Sequence, residues 1–170
     1  MNDLCFSKIR MKLFFSSILF GVFFSININA QNPAKVIPAF QFFKLDKTAF
    51  TKNNLAKGKP YLFIFFDASC EHCQLVTNHI NQHYNDFKNA SMYFITQDSR
   101  QVLDGFMSKY GKNLKAKSNI VILQDLNKEF IKKFGPRKYP SLFLYTPQQT
   151  LMMYDDESEH ITKFSDALKK

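Results

Sequence analysis

The feature that most constrains the fold is a run of six consecutive apolar residues, Tyr61 to Phe66. Alternating apolar and polar residues would predict a strand with one face in water, whereas a continuous run is typical of a strand covered on both faces. Two cysteines, Cys70 and Cys73, follow this run directly. Because ligand chemistry in such sheets gathers beyond the carboxyl ends of the strands, these cysteines are the first candidate for a functional site.

The remainder of the chain alternates between strand and helix patterns. Periodicity and breakers predict further strands at 39–43, 92–96 and 120–123, and a hairpin of strands 141–146 and 151–154. Helices are predicted at 71–87, 102–110, 127–134 and 160–169, and a short helix or turn within 46–55. Asp67 and Ser69 are positioned to offer N-capping oxygens to the helix at 71. This order predicts an α/β fold with a central mixed β-sheet and helices on both faces.

Residues 1–30 resemble a cleaved secretory signal peptide. Lys8, Arg10 and Lys12 precede an apolar run at 13–24, and Ala30 offers a cleavage point. The run is shorter than the roughly 20 residues that cross a bilayer. We therefore expect a periplasmic or secreted protein whose residues 31–170 form a single domain with no integral membrane segment. An uncleaved N-terminal membrane anchor is the alternative.

The charge of the chain is basic but dispersed. Loss of residues 1–30 would change the net charge from +9 to +7. The lysines are scattered, without a run of like charges or an interleaved aromatic platform, so we predict no nucleic-acid partner.

Export would leave Cys70 and Cys73 as the only cysteine pair, because Cys5 departs with the signal. A disulfide between them would close a very short loop, and by the chain-entropy argument such a link stabilises a fold little. Haem attachment requires a histidine immediately after the second cysteine, where this chain has Gln74.

A metal site would need Cys70, Cys73, His79 and His83 to converge. The five residues between Cys73 and His79 are far fewer than the about 12 of a zinc finger. On one helix at about 100° per residue, both histidines would also point away from Cys73. We therefore predict no metal and no cofactor.

Redox chemistry explains the cysteine spacing directly. Two intervening residues at a helix start place the sulfurs within disulfide distance and leave Cys70 exposed at the positive helix end. We predict a Cys70–Cys73 disulfide in which Cys70 is the attacking thiol and Cys73 the resolving thiol. His72 would favour the Cys70 thiolate and Glu71 would oppose it, so these two residues are predicted to tune the site.

The segment KPYLFIFFDASCEHC, with KYPSLFLY about seventy residues later, resembles the thioredoxin superfamily, most closely the exported TlpA-like and ResA-like thiol-disulfide oxidoreductases. The resemblance implies a thioredoxin-like three-layer sandwich. It also implies that Pro140 is a cis proline facing the disulfide and that the backbone of Tyr139 binds an extended substrate segment. The alternative is that Pro140 merely begins a strand.

Three departures from the family pattern bear on function. The chain has Glu71 and His72 between the cysteines, it lacks Trp, and Ile64 stands where thioredoxin has a buried acid. The Pro-x-x-x-Thr-x-x-Cys arrangement of peroxiredoxins is absent before Cys70.

These observations predict an exported protein-disulfide oxidoreductase, with a reductant favoured over an oxidant. Its partners would be protein thiols and disulfides together with a membrane electron donor, and we expect a monomer. The alternative is a non-catalytic thioredoxin-fold module that binds a metal or a partner protein through the same loop.

Overall fold

The structure is a computed structural model that describes residues 32–169. Its strands are β1 (Gln41–Phe43), β2 (Ala49–Thr51), β3 (Tyr61–Phe65), β4 (Ser91–Thr96), β5 (Ile120–Gln124), β6 (Ser141–Tyr145) and β7 (Leu151–Asp155). Its α-helices are α1 (Glu71–Gln82), α2 (Tyr84–Phe87), α3 (Arg100–Tyr110), α4 (Glu129–Phe134) and α5 (Ile161–Leu168). Short 3-10 turns cover Lys52–Asn54 and Ser158–His160.

All seven strands form one mixed sheet in the order β2-β1-β5-β4-β3-β6-β7. The apolar strand β3 lies at its centre, parallel to β4 and antiparallel to β6. Both of its faces are covered, since all five residues of β3 are buried. The continuous apolar run therefore predicted the position of this strand correctly.

Two apolar clusters fill the space on either side of the sheet. The first packs Leu62 and Ile64 against α1, α2, α3 and α5. The second packs Tyr61, Phe63 and Phe65 against α4 and the β1–β2 hairpin, and it is rich in aromatic rings. Period-2 alternation along β3 assigns its residues to the two clusters. The predicted three-layer α/β sandwich with helices on both faces is confirmed.

Three local predictions were right only in part. The predicted short helix or turn within 46–55 is present as the 3-10 turn Lys52–Asn54, but strand β2 precedes it, and Lys47 turns the chain there with a φ of 66°. The helix predicted at 71–87 is divided at His83, whose φ of −109° and ψ of 32° are not helical. Helix α4 begins two residues later than predicted, after Lys128 in the left-handed region.

None of the helices within 32–169 has the length and apolar character to cross a membrane. The predicted signal peptide lies outside the described residues.

Candidate active site

The two cysteines occupy different environments at the start of α1. Cys70 is the N-terminal cap residue and is partly exposed, while Cys73 lies one turn further and is 1% exposed. The Cys70 carbonyl accepts hydrogen bonds from the backbone N–H groups of Cys73 and Gln74, both at 3.1 Å. Both side chains are free thiols. An accessible thiol at a helix N-terminus with a buried thiol beside it is the arrangement that dithiol exchange requires.

The loop between β3 and α1 is held by carboxylates. Asp67 Oδ1 accepts hydrogen bonds from Ser69 N at 2.8 Å and Ser69 Oγ at 2.5 Å. Asp98 Oδ2 accepts from Ala68 N at 2.8 Å. The predicted capping of α1 by Asp67 or Ser69 does not occur, because these side chains bond to each other and α1 has no side-chain cap. The carboxylates fix the loop that presents Cys70.

The loop before β6 faces the exposed thiol. The Cys70 Sγ lies 3.8 Å from the carbonyl oxygen of Tyr139, at weak hydrogen-bond distance. The Tyr139–Pro140 peptide bond is cis. The Tyr139 side chain is half-buried, and its ring centroid is 4.9 Å from that of Phe65. Two segments about seventy residues apart in sequence therefore meet at Cys70.

A hydrogen-bond network anchors this second loop to the edge strand β7. Tyr154 Oη accepts from the backbone N–H of Arg137 at 3.0 Å and donates to Asp156 Oδ2 at 2.9 Å. Ser141 Oγ donates to the Lys138 carbonyl at 2.6 Å and lies 3.0 Å from Tyr154 Oη. The Arg137 guanidinium binds the Asp156 carboxylate through two contacts, at 2.8 and 3.1 Å. Residues 137 to 141 are thus tied to β7 from both ends.

The resolving cysteine is surrounded by apolar groups. Cys73 belongs to the same buried cluster as Ile64, the residue that stands in place of thioredoxin's buried acid. Burial raises the pKa of the Cys73 thiol well above its ordinary value, and the nearby Cys70 thiol and Asp67 carboxylate raise it further, against a lowering contribution from the Asp67 backbone N–H. In the reduced protein the Cys73 thiol is therefore protonated at neutral pH.

Three carboxylates, those of Asp67, Asp98 and Asp125, act on the Tyr139 side chain. Their convergence at the site was not predicted from the sequence. Burial raises the pKa of Tyr139 to about 12, and the charges of Asp67, Asp98 and Asp125 add to this rise. Asp125 is 1% exposed and bonds the backbone N–H groups of Glu129 and Phe130 at the start of α4. Only the position of these acids after strands β3, β4 and β5 could have indicated their convergence.

Both predicted tuning residues lie on the exposed first turn of α1. Glu71 is exposed and is the acidic residue of that turn. His72 is also exposed, and its Nδ1 lies 2.9 Å from Ser158 Oγ in the turn after β7. The imidazole is therefore directed toward a specific partner on another element.

The two other histidines of α1 stack on each other, away from the cysteines. The ring centroids of His79 and His83 are 4.5 Å apart. Burial, together with the neighbouring His83, lowers the pKa of His79. Within the described range 32–169, no group of three or more His, Cys, Asp or Glu side chains is arranged to hold a metal ion.

Comparison with known proteins places this geometry in context. Residues 33–154 match the AhpC/TSA family. No curated protein sequence matches the chain significantly. Similar solved structures include the thioredoxin domain of a thiol-disulfide oxidoreductase from Bacteroides vulgatus, at 21% identity and a TM-score of 0.64, covering 82% of this chain and 99% of that one.

Two Mycobacterium tuberculosis structures are also similar. One is a secreted disulfide oxidoreductase, at 18% identity and a TM-score of 0.61, covering 75% of this chain and 95% of that one. The other is the peroxidoxin BcpB, at 13% identity and a TM-score of 0.65, covering 81% and 96%. These likenesses confirm the thioredoxin-like fold, and the family match over residues 33–154 supports the predicted superfamily.

Proposed function

Because this chain belongs to the AhpC/TSA family, which includes thiol-disulfide oxidoreductases and peroxiredoxins, we propose that it is an exported thiol-disulfide oxidoreductase acting on proteins. The observation that carries the proposal is the pairing of an exposed Cys70 thiol, 3.8 Å from the Tyr139 carbonyl, with a buried Cys73 thiol one turn along α1. A binding module would have no need for two thiols with such different exposure.

The reaction proceeds in two exchange steps. The Cys70 thiolate attacks one sulfur of a substrate disulfide, forming a mixed disulfide and releasing the other sulfur as a thiolate. The Cys73 sulfur, after losing its proton, attacks Cys70 Sγ and releases the second substrate thiolate. The substrate gains two electrons and two protons, and the enzyme is left with a Cys70–Cys73 disulfide. An oxidant would run the same steps in reverse.

Substrate binding is assigned to the loop of Tyr139 and Pro140. A carbonyl beside the attacking sulfur can accept a hydrogen bond from the backbone of an extended substrate segment. Backbone pairing gives affinity without requiring particular side chains, which suits an enzyme whose substrates are proteins. The network of Tyr154, Ser141 and Asp156 supports this role because it fixes the loop in front of Cys70.

The resolving step requires the Cys73 proton to leave an apolar environment. The side chain of Ile64 cannot accept this proton. The carboxylate whose charge acts on Cys73 is that of Asp67, which raises the pKa of the Cys73 thiol. In the mixed disulfide Cys70 carries no thiol, so its raising effect on the pKa of Cys73 is lost. The Cys73 proton is then transferred to water or to the Asp67 carboxylate.

We propose that the enzyme is located in the periplasm or is secreted. We further propose that it acts there as a reductant and receives its electrons from a membrane donor. Lys8, Arg10 and Lys12 before an apolar run support export. N-terminal sequencing of the protein from the exported fraction should find Gln31 first. Recovery of the unprocessed chain in the membrane fraction would instead indicate an uncleaved anchor.

The direct test is disulfide reduction by the purified protein. We expect the reduced enzyme to reduce insulin or a model mixed disulfide, and Cys70→Ser to abolish this. A reduction potential of about −270 mV against glutathione identifies a reductant, and one of about −120 mV identifies an oxidant. Rapid turnover of hydrogen peroxide without disulfide reduction would identify a peroxidase, and stoichiometric metal with neither activity would identify a binding module.

A further inference from the structure

The outer edge of β5 is only partly covered by its neighbour. Strand β1 pairs with β5 at a single position, Phe43 opposite Gln124. Immediately afterwards the chain leaves β5, because Lys44 N donates to Thr48 O at 2.9 Å and begins the turn toward β2. The part of β5 that precedes Gln124 therefore has β4 on one side and no strand of the described chain on the other.

The backbone bonds of β5 show which of its groups point outward. Met92 N donates to Asn119 O, and Asp125 N donates to Thr96 O, both at 2.8 Å. Odd-numbered residues of this segment therefore bond to β4. Since backbone groups alternate along a strand, those of Ile120 and Ile122 point away from β4.

The amide of Ile120 is occupied, because it donates to Lys117 O at 3.1 Å. This leaves the N–H and C=O of Ile122 and the C=O of Ile120 directed outward. Within residues 32–169 they have no partner strand. Open edges of this kind are templates for an added strand.

A groove with a volume of 490 Å³ lies along this edge. Its apolar lining comes from five side chains, Leu45, Leu114, Ile120, Val121 and Ile122. The three β5 residues are only partly buried. An apolar floor beside free backbone groups can accept alternate side chains of an extended segment while its backbone pairs with the edge.

The rim of the groove is cationic. Lys44, Arg100 and Lys115 line it, against a single acid, Asp46. The Asp46 carboxylate is turned onto Thr48, accepting from its N–H at 2.9 Å and its hydroxyl at 2.6 Å. Arg100 is paired with Asp104 at 2.6 Å, and the charges of Lys44 and Asp46 interact, so the rim as a whole retains a net positive charge. A segment bearing carboxylates complements this rim.

We propose that the open edge of β5 binds an extended segment of a partner protein in which apolar residues alternate with Asp or Glu. The segment would add as a further strand beside Ile120 and Ile122, with its carboxylates on Lys44 and Lys115. The N-terminal part of this chain has the wrong charge for the groove, since residues 1–31 carry Lys8, Arg10 and Lys12 against Asp3 alone. This binding does not involve the cysteines and stands apart from the proposed redox function.

The test uses the reduced full-length mature protein and the peptide acetyl-EVTVEVE-amide, with acetyl-KVTVKVK-amide as the matched control. In amide hydrogen exchange the free protein should exchange Ile122 rapidly while Val121 and Leu123 remain protected by β4. The acidic peptide should slow Ile122 exchange at least about tenfold at saturation, and the basic peptide should not.

Two sets of variants separate backbone pairing from charge. Ile122→Pro removes the outward donor without removing a bond to β4, a position at which a strand edge tolerates proline. It should weaken binding of the acidic peptide at least about tenfold and leave disulfide reduction unchanged. The pair Lys44→Glu and Lys115→Glu should weaken binding similarly, while Lys57→Glu with Lys59→Glu, which do not line the groove, should not.

Three results would overturn the proposal. Slow exchange of Ile122 in the free mature protein at all concentrations would mean that the edge is already covered. Protection of Ile122 that increases with protein concentration in the absence of peptide would assign the edge to a second copy of the chain. Equal binding of the acidic and basic peptides would show that the cationic rim plays no part. A protein that fails to reduce disulfides can still be tested for Ile122 exchange and peptide binding. Failure of the proposed redox function is therefore distinguishable from failure of the edge-binding proposal.

Discussion

The imidazole Nδ1 of His72 lies 2.9 Å from Ser158 Oγ, linking the residue between the two cysteines to the turn that follows β7. That turn is acidic, with Glu157 and Glu159 on either side of Ser158. The pKa of Glu159 is lowered, first by a hydrogen bond within its own residue and then by Ser158 and the charges of His72 and His160. The contact with Ser158 therefore orients the His72 side chain. The effect of the His72 charge on the two cysteines can be tested separately from this contact.

Replacement of His72 by Ala should lower the reduction potential. An imidazolium beside the first turn of α1 favours the thiolate of the reduced enzyme, so its loss destabilises that form. Because exposed charges interact weakly, we expect a shift of about 10–20 mV, measured by equilibration with glutathione. Glu71→Gln is the matched control and should shift the potential in the opposite direction. Equal potentials in all three proteins would show that neither residue tunes the site.

Replacement of Cys73 by Ser should trap substrates on Cys70. The exposed thiol still attacks, but the buried hydroxyl cannot resolve the mixed disulfide. We expect covalent adducts on non-reducing gels that disappear after treatment with dithiothreitol. The same experiment with Cys70→Ser should give none, since Cys73 is 1% exposed. Adducts on the Cys70→Ser variant would reverse the assigned roles.

Much of the fold could be predicted because local patterns and tertiary packing agree. The run from Tyr61 to Phe66 is buried on both faces, and its position determines where Cys70 falls. Strand β2 was missed because Ala49–Thr51 is short and its turn uses Lys47 at a positive φ, without the glycine or asparagine that usually marks such a turn. The break at His83 has no proline or glycine to mark it.

The site was predictable where a motif is local and not where it depends on distant contacts. Cys70 and Cys73 are adjacent to the strand that presents them. The bond between Ala68 and Asp98 joins residues thirty positions apart, and the one between His72 and Ser158 joins residues eighty-six positions apart. Such pairs depend on the register of the sheet, which a single sequence specifies only through its long-range packing.

The stability of the reduced protein should fall above pH 9 because of Cys73. Burial raises the pKa of this thiol from its ordinary value of 9.0, so the folded state keeps a proton that the unfolded state loses. The unfolded state then binds fewer protons, and the free energy of unfolding decreases as pH rises.

Between pH 8 and 10 this contribution amounts to about 1.4 kcal/mol. It should appear as the difference in pH dependence between the reduced wild-type protein and Cys73→Ala, both measured by urea unfolding. Titrating groups that do not interact with Cys73 are common to the two proteins and cancel in this difference. Identical pH dependences would contradict the raised pKa of Cys73.

Replacement of Tyr154 by Phe should impair substrate binding more than chemistry. The lost hydroxyl accepts from Arg137 N and donates to Asp156, so the loop that carries Tyr139 loses part of its attachment to β7, while the Arg137–Asp156 ion pair remains. We expect a loss of about 1–2 kcal/mol in the free energy of unfolding, as for a partly buried hydrogen bond. KM for a protein disulfide should rise severalfold while the reduction potential stays constant.

Tyr84→Phe is the matched control for this prediction. Its hydroxyl donates to Asn119 Oδ1 at 2.7 Å, so the variant loses one partly buried hydrogen bond, against two at Tyr154, and it lies far along the chain from the loop before β6. A similar loss of stability with an unchanged KM is expected. If both variants raised KM equally, the effect would follow from general destabilisation. An increase confined to Tyr154→Phe would show that the β7 network positions the loop facing Cys70.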